Sequence, residues 1–340
     1  MRPALLAAVL LAGGCAGAVV QPRSDTVTVS ARAETEPVGT ANADAADDPA
    51  IWRNPRRPTD SLIVATDKKA GLYVYDLAGK VRHFSGAGRL NNVDLIDRGR
   101  AGILVAASDR NDVAQARLRL FRLDPSTAQL LPLGDVTGGA GEAYGICLWR
   151  HGEALYAFSV LKEGAVHQVR LDLDGPQPRG TIVRTLRLAT QPEGCVVDPR
   201  TNRLFVGEED RGVWSFDALP AAAATGTLVA PVDGRHLVAD VEGLAIAPAG
   251  RTGGYLIASS QGDNSYALYA LPGMIPAGRF RVAAGRFGST EETDGIAFHP
   301  GSFGPAYSAG LFIAQDGVNA PAAQNFKLVS WADVQRAMKR

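Results

Sequence analysis

One short pattern recurs six times along the 340-residue chain, and it constrains the fold more than any other feature. The copies are Asp48-Pro-Ala-Ile-Trp52, Asn92-Val-Asp-Leu-Ile96, Tyr144-Gly-Ile-Cys-Leu148, Glu193-Gly-Cys-Val-Val197, Glu242-Gly-Leu-Ala-Ile246 and Asp294-Gly-Ile-Ala-Phe298. Taken between first residues (48, 92, 144, 193, 242, 294), the intervals are 44, 52, 49, 49 and 52 residues. Each copy is followed by a second apolar run ending in polar residues, such as Leu62 to Asp67 or Leu204 to Asp210, and then by an alternating third run such as Leu72 to Asp76. Three short strands per period, separated by Gly or Asp turns, are the signature of propeller blades. The expected fold is therefore all-β, a six-bladed β-propeller forming a single domain over residues 25–340. Little chain remains after Trp331 for an outer strand of blade six. Thr26 to Ser30 alternates with period two and is expected to pair into that blade and close the ring.

The first residues of the chain read as a targeting segment. Ala4 to Ala12 is apolar but too short to span a bilayer. Cleavage is expected within residues 1–18, either before Cys15, in a lipobox-like Leu11-Ala-Gly-Gly-Cys15, or after Ala18 in an A-x-A site. Both imply export, to the periplasm, the outer membrane or the medium, with a lipid anchor at Cys15 in the first case. The two remaining cysteines, Cys147 and Cys195, lie in apolar runs and are expected to be buried free thiols, although one disulfide is permitted outside the cytoplasm.

The chain carries 35 basic and 35 acidic residues, with no basic stripe, which argues against nucleic acid as a partner. In a propeller the first strand of each blade lines the channel and the second runs antiparallel beside it. The starts of the first and the ends of the second therefore meet at one face. That geometry gathers Asp47, Asp48, Asn92, Glu142, Tyr144, Glu193, Asp240, Glu242 and Asp294 with Lys68, Arg110, Lys162, Glu163, Glu209, Gln261 and Asp316. Crowded carboxylates without His or Cys suit a hard, oxygen-loving cation, and calcium is the natural choice. Lys and Arg beside it suit an anionic ligand such as phosphate. Water activated by the metal could then attack a phosphorus held by these cations, with no covalent nucleophile. Arg150-His151-Gly152 imitates the opening of a histidine phosphatase motif, but Glu153 and Ala154 do not continue it, and the tripeptide falls in a turn at the other face.

At these residues the chain resembles the β-propeller phytases, through Asp44-Ala-Ala-Asp-Asp-Pro-Ala-Ile-Trp52, Thr66-Asp-Lys-Lys69, Gly88-Arg-Leu-Asn-Asn-Val-Asp94, Glu208-Glu-Asp210, Asp240-Val-Glu-Gly243, Thr293-Asp-Gly295, Phe312-Ile-Ala-Gln-Asp316 and Gln324-Asn-Phe-Lys327. The resemblance implies calcium-dependent removal of phosphate from myo-inositol hexakisphosphate by a monomer carrying several calcium ions. It implies Asp47, Glu193, Glu209, Asp240, Glu242 and Gln261 as ligands of catalytic calcium, and Asp48, Asp294, Gln315 and Asp316 as ligands of a structural one. Lys68, Arg110, Tyr144, Lys162 and Glu163 are implied as contacts to substrate phosphates. A calcium-dependent propeller hydrolase of another class, such as a lactonase, and a non-catalytic binding propeller are the alternatives.

Overall fold

The computed structural model describes residues 25–41 and 43–339. The proposed leader and Cys15 lie outside them. The described strands form six sheets arranged as blades around a channel. The innermost strands are Ala46–Trp52, Leu90–Asp97, Ala143–His151, Pro192–Asp198, Val241–Ala249 and Ile296–Pro300. Each pairs antiparallel with a second strand, Leu62–Asp67, Ile103–Asp109, Ala154–Leu161, Arg203–Glu208, Gly253–Ser260 and Gly310–Asp316 respectively.

Strands buried on both faces read as apolar runs rather than strict alternations, because each blade packs a neighbour on either side. Six main apolar clusters fill the six interfaces. Trp52, Val64 and Val74 of blade one, for example, pack with Val93, Val105 and Phe121 of blade two. The cluster that closes the ring joins Ile51, Ile63 and Tyr75 of blade one to Leu311, Ile313 and Phe326 of blade six. Burying a side chain of this size contributes roughly 1.5–3 kcal/mol, so closure is stabilised mainly by packing.

The N-terminal segment is divided between two blades, which corrects the expectation for Thr26 to Ser30. Thr26–Val29 pairs parallel with Ile275–Val282 and becomes a fifth strand of blade five. The outer strand of blade six is instead Ala33–Glu34, antiparallel to Asn325–Ser330. Two ionic ties hold this short strand. Glu34 Oε2 lies 2.7 Å from Nζ of the fully buried Lys327, which also meets Asp316 Oδ2 at 3.0 Å. Arg32 grips both oxygens of Asp333 at 2.7 and 2.9 Å, fastening the segment to the C-terminal helix Trp331–Ala337.

Candidate active site at the acidic mouth of the ring

Five of the six inner strands break their pairing at the same place. The irregularity falls between Ala46 and Pro49, Leu90 and Val93, Ala143 and Ile146, Pro192 and Cys195, and Val241 and Leu244. A bulge re-aims side chains, and here it presents a dipeptide at the channel in each blade. The dipeptides are Asp47-Asp48, Asn91-Asn92, Tyr144-Gly145, Glu193-Gly194 and Glu242-Gly243, with Asp294-Gly295 just ahead of the sixth inner strand. This pairing corrects the repeat register in blades one and two. The counterparts of Glu193 there are Asp47 and Asn91, not Asp48 and Asn92.

The second position of the dipeptide faces the next blade. A Cβ at Gly194 would overlap the Glu242 carbonyl, and one at Gly145 would overlap the Glu193 carbonyl, so only glycine allows the approach. Blades one and two use side chains at this position. Asp48 Oδ2 accepts the Val93 N–H at 3.0 Å, and Asn92 Oδ1 accepts from the Asn91 side-chain amide at 2.7 Å. Asp48 consequently lines a separate channel cavity of about 330 Å³ with Asn92 and Asp94.

A second ring surrounds the first. The residue that follows the second strand is Lys68, Arg110, Lys162, Glu209 and Gln261 in blades one to five. Each donates its backbone N–H to the loop before its own inner strand, at Ala45, Arg89, Glu142, Gln191 and Asp240 in turn, over 2.7–3.1 Å. One structural position thus carries three cations, a carboxylate and an amide. The two rings open into a cavity of about 1180 Å³ lined by Lys68, Tyr144, Glu193, Glu209, Glu242 and Asp294, with Asp240 and Gln261 on its wall.

The acidic side is strongly desolvated. Burial, reinforced by neighbouring carboxylates, pushes Glu193 and Glu242 well above the usual carboxylate range, and Asp294 to about 7. Asp47 is raised by burial against the pull of Lys68, and Glu209 and Asp240 are raised mainly by burial. Oxygens of Glu193, Glu209 and Glu242 lie within 4.8 Å of one another. Asp47 Oδ1 and Glu242 Oε2 are buried without a hydrogen-bond donor. Carboxylates gathered this closely, with one orphaned oxygen among them and another on Asp47, fit a hard divalent cation.

The basic side divides. Lys68 Nζ is already claimed by Asp44 at 2.8 Å, Asp47 at 2.8 Å and Asp294 at 2.9 Å, and these carboxylates hold its ammonium firmly protonated. Arg110 and Lys162 instead sit over the Tyr144 ring, at 5.8 and 5.2 Å from its centroid. Arg110 Nη1 is 3.5 Å from Glu142, and its buried Nε has no acceptor. Glu163 Oε1 accepts the Glu142 N–H at 3.4 Å.

Not all of the sequence-predicted ligands converge. Gln315 is fully buried and spends its amide on backbone, accepting from Asp294 N–H at 2.9 Å and donating to Ala46 at 3.1 Å. Asp316 is paired with Lys327, Asp48 faces the other cavity, and Asp294 is shared between Lys68 and the Gln261 amide at 2.7 Å. Sequence reasoning missed Asp44, Asn91 and Gln191 as members of the site. Asn91 was findable from the repeat in its corrected register.

Cys147 and Cys195 form a disulfide, with a Cα separation of 5.7 Å, rather than the two free thiols expected. It joins the inner strands of blades three and four directly behind the bulges that present Tyr144 and Glu193.

Comparison with known proteins agrees with this geometry. The family model described as Phytase matches residues 4–340. A 3-phytase of Bacillus subtilis (strain 168) is 38% identical over 324 residues, covering 90% of this chain and 84% of that protein. The two rings of side chains, the six-bladed scaffold and these matches lead to one assignment: the chain belongs to the phytase family and is a phosphoric monoester hydrolase.

Proposed function

We propose that the protein hydrolyses myo-inositol hexakisphosphate in a calcium-dependent reaction at the acidic mouth. The observation that carries this reading is one cavity lined both by Glu193, Glu209 and Glu242, whose oxygens lie within 4.8 Å of one another, and by Tyr144, over whose ring Arg110 and Lys162 sit. Asp47, Glu193, Glu209, Asp240, Glu242 and Gln261 would hold calcium there. When bound, the ion neutralises phosphate oxygens and makes water acidic enough to act as a nucleophile at phosphorus.

The chain's own groups do the rest. Arg110 supplies a guanidinium suited to fork phosphate oxygens, and Lys162 adds a point charge. Burial and the surrounding carboxylates keep the Tyr144 phenol protonated, so it serves as a hydrogen-bond donor to a phosphate oxygen. Lys68, held by three carboxylates, sets the spacing of Asp47 and Asp294 and turns one edge of its charge to the cavity. These cations are fixed before substrate arrives and stabilise charge in the transition state with little reorganisation.

Export is part of the same proposal, and the Cys147–Cys195 disulfide supports it, because such bonds persist in oxidising compartments. The test of function is phosphate release from inositol hexakisphosphate, with and without a chelator, for the wild type and Glu209→Gln. Release that requires calcium and is lost in Glu209→Gln is expected. Calcium-independent release, or none from the wild type, would overturn the reading.

A further inference from the structure

We propose that Gln191, in the loop before the inner strand of blade four, is a positioning residue that couples the calcium-binding and phosphate-binding halves of the mouth. The inference rests on the function proposed above. Gln191 touches Glu209 twice. Its carbonyl accepts the Glu209 N–H at 3.0 Å, and its side-chain Nε2 donates to Glu209 Oε1 at 2.5 Å. The same Nε2 lies 3.3 Å from the Tyr144 hydroxyl.

A primary amide nitrogen has two N–H bonds and accepts nothing, so one group can serve both partners at once. The bond to Oε1 fixes the rotation of the Glu209 carboxylate and thereby the aim of its oxygens toward those of Glu193 and Glu242. The contact with the hydroxyl fixes the tilt of the Tyr144 ring, on whose face Arg110 and Lys162 rest. The corresponding loop positions in blades one, two, three and five are Ala45, Arg89, Glu142 and Asp240, so of these five blades only blade four places a neutral side-chain donor here. Partners of this kind, one step removed from a metal, typically change affinity or activity by about 10- to 100-fold when removed.

The experiment is calcium titration of the full chain by calorimetry, with hydrolysis of inositol hexakisphosphate measured in parallel, for the wild type, Gln191→Met, Glu209→Gln and the double variant. Methionine keeps the length of the side chain and removes the donor. Gln191→Met is expected to weaken calcium binding about 10- to 100-fold, and the loss should vanish in the Glu209→Gln background because it acts through that carboxylate. Circular dichroism checks folding. If the methionine variant misfolds, Gln191→Asn, too short to reach both partners, should show the same loss. Unchanged calcium affinity in a folded Gln191 variant, or a loss that simply adds to that of Glu209→Gln, overturns the positioning role while leaving the functional reading intact. A wild type that binds calcium but releases no phosphate overturns the functional reading alone.

Discussion

Asn91 of blade two donates its side-chain amide to Glu193 Oε1 of blade four at 2.9 Å, reaching past blade three. The channel is thus narrow enough for alternate blades to touch, and a neutral donor stands among carboxylates that would otherwise face one another. Leaving a buried acceptor without its donor costs about 1–3 kcal/mol. Asn91→Ala is therefore expected to lower the stability of the metal-free chain by about that amount and of the calcium-loaded chain by less, as read by thermal unfolding with and without chelator.

Lys68 is 7% exposed and compensates three aspartates. Breaking a buried ion pair from one side costs about 3–5 kcal/mol because it strands the remaining charge. Lys68→Met should therefore reduce stability in urea by that order and abolish phosphate release. Added calcium should restore part of the stability but not the activity.

Residues 48 apart in sequence are joined by the disulfide. Removing a bridge over a loop of this length costs about 2–4 kcal/mol. Cys147→Ser with Cys195→Ser, or reduction of the wild type, should lower the unfolding midpoint accordingly. Because the bridge backs Tyr144 and Glu193, calcium affinity should fall as well, which calorimetry under reducing conditions would show.

Burial raises Asp94 to about 6 and, with Asp47, raises Asp294 to about 7, both from an ordinary value of 3.8. A carboxyl raised in the folded state binds its proton more tightly there than in the unfolded chain. The stability it contributes is full below about 4 and is lost as pH rises through 6 to 7. The metal-free protein should accordingly melt at progressively lower temperature between pH 4 and about pH 7. Calcium should flatten or reverse that slope, and thermal melts across the pH range with and without calcium check the sign.

The six inner strands, the acidic mouth and the basic rim were legible in the sequence because each rests on a repeated local pattern. The destination of Thr26–Val29 was not. Period-two alternation tells which face of a strand is buried but does not name its partner, and the free edge of Ile275–Val282 competes with that of blade six. The register of Asp47 and Asn91 was hidden because each is followed by a second polar residue, so that Asp48-Pro and Asn92-Val mimic Glu193-Gly in an ungapped pattern. The cysteines were misread for a related reason. They occupy adjacent positions of neighbouring repeats, and only inner strands packed side by side make that a bonding distance. Gln191 carried no repeat signal, since its position holds a different residue in each of blades one to five.

The glycines Gly145, Gly194, Gly243 and Gly295 mean that blades three to six, and blade six with blade one, meet at the mouth through their main chains. Along those four seams the perimeter of the opening is set by peptide-to-peptide contact. Substitution at Asp47, Asn91, Tyr144, Glu193, Glu242 or Asp294 can exchange one functional group for another, but the gaps between them are inherited from the backbone. If the proposed function holds, the spacing of oxygens offered to a cation or a phosphate on that side is a property of the main chain, not of the side chains that carry the charge.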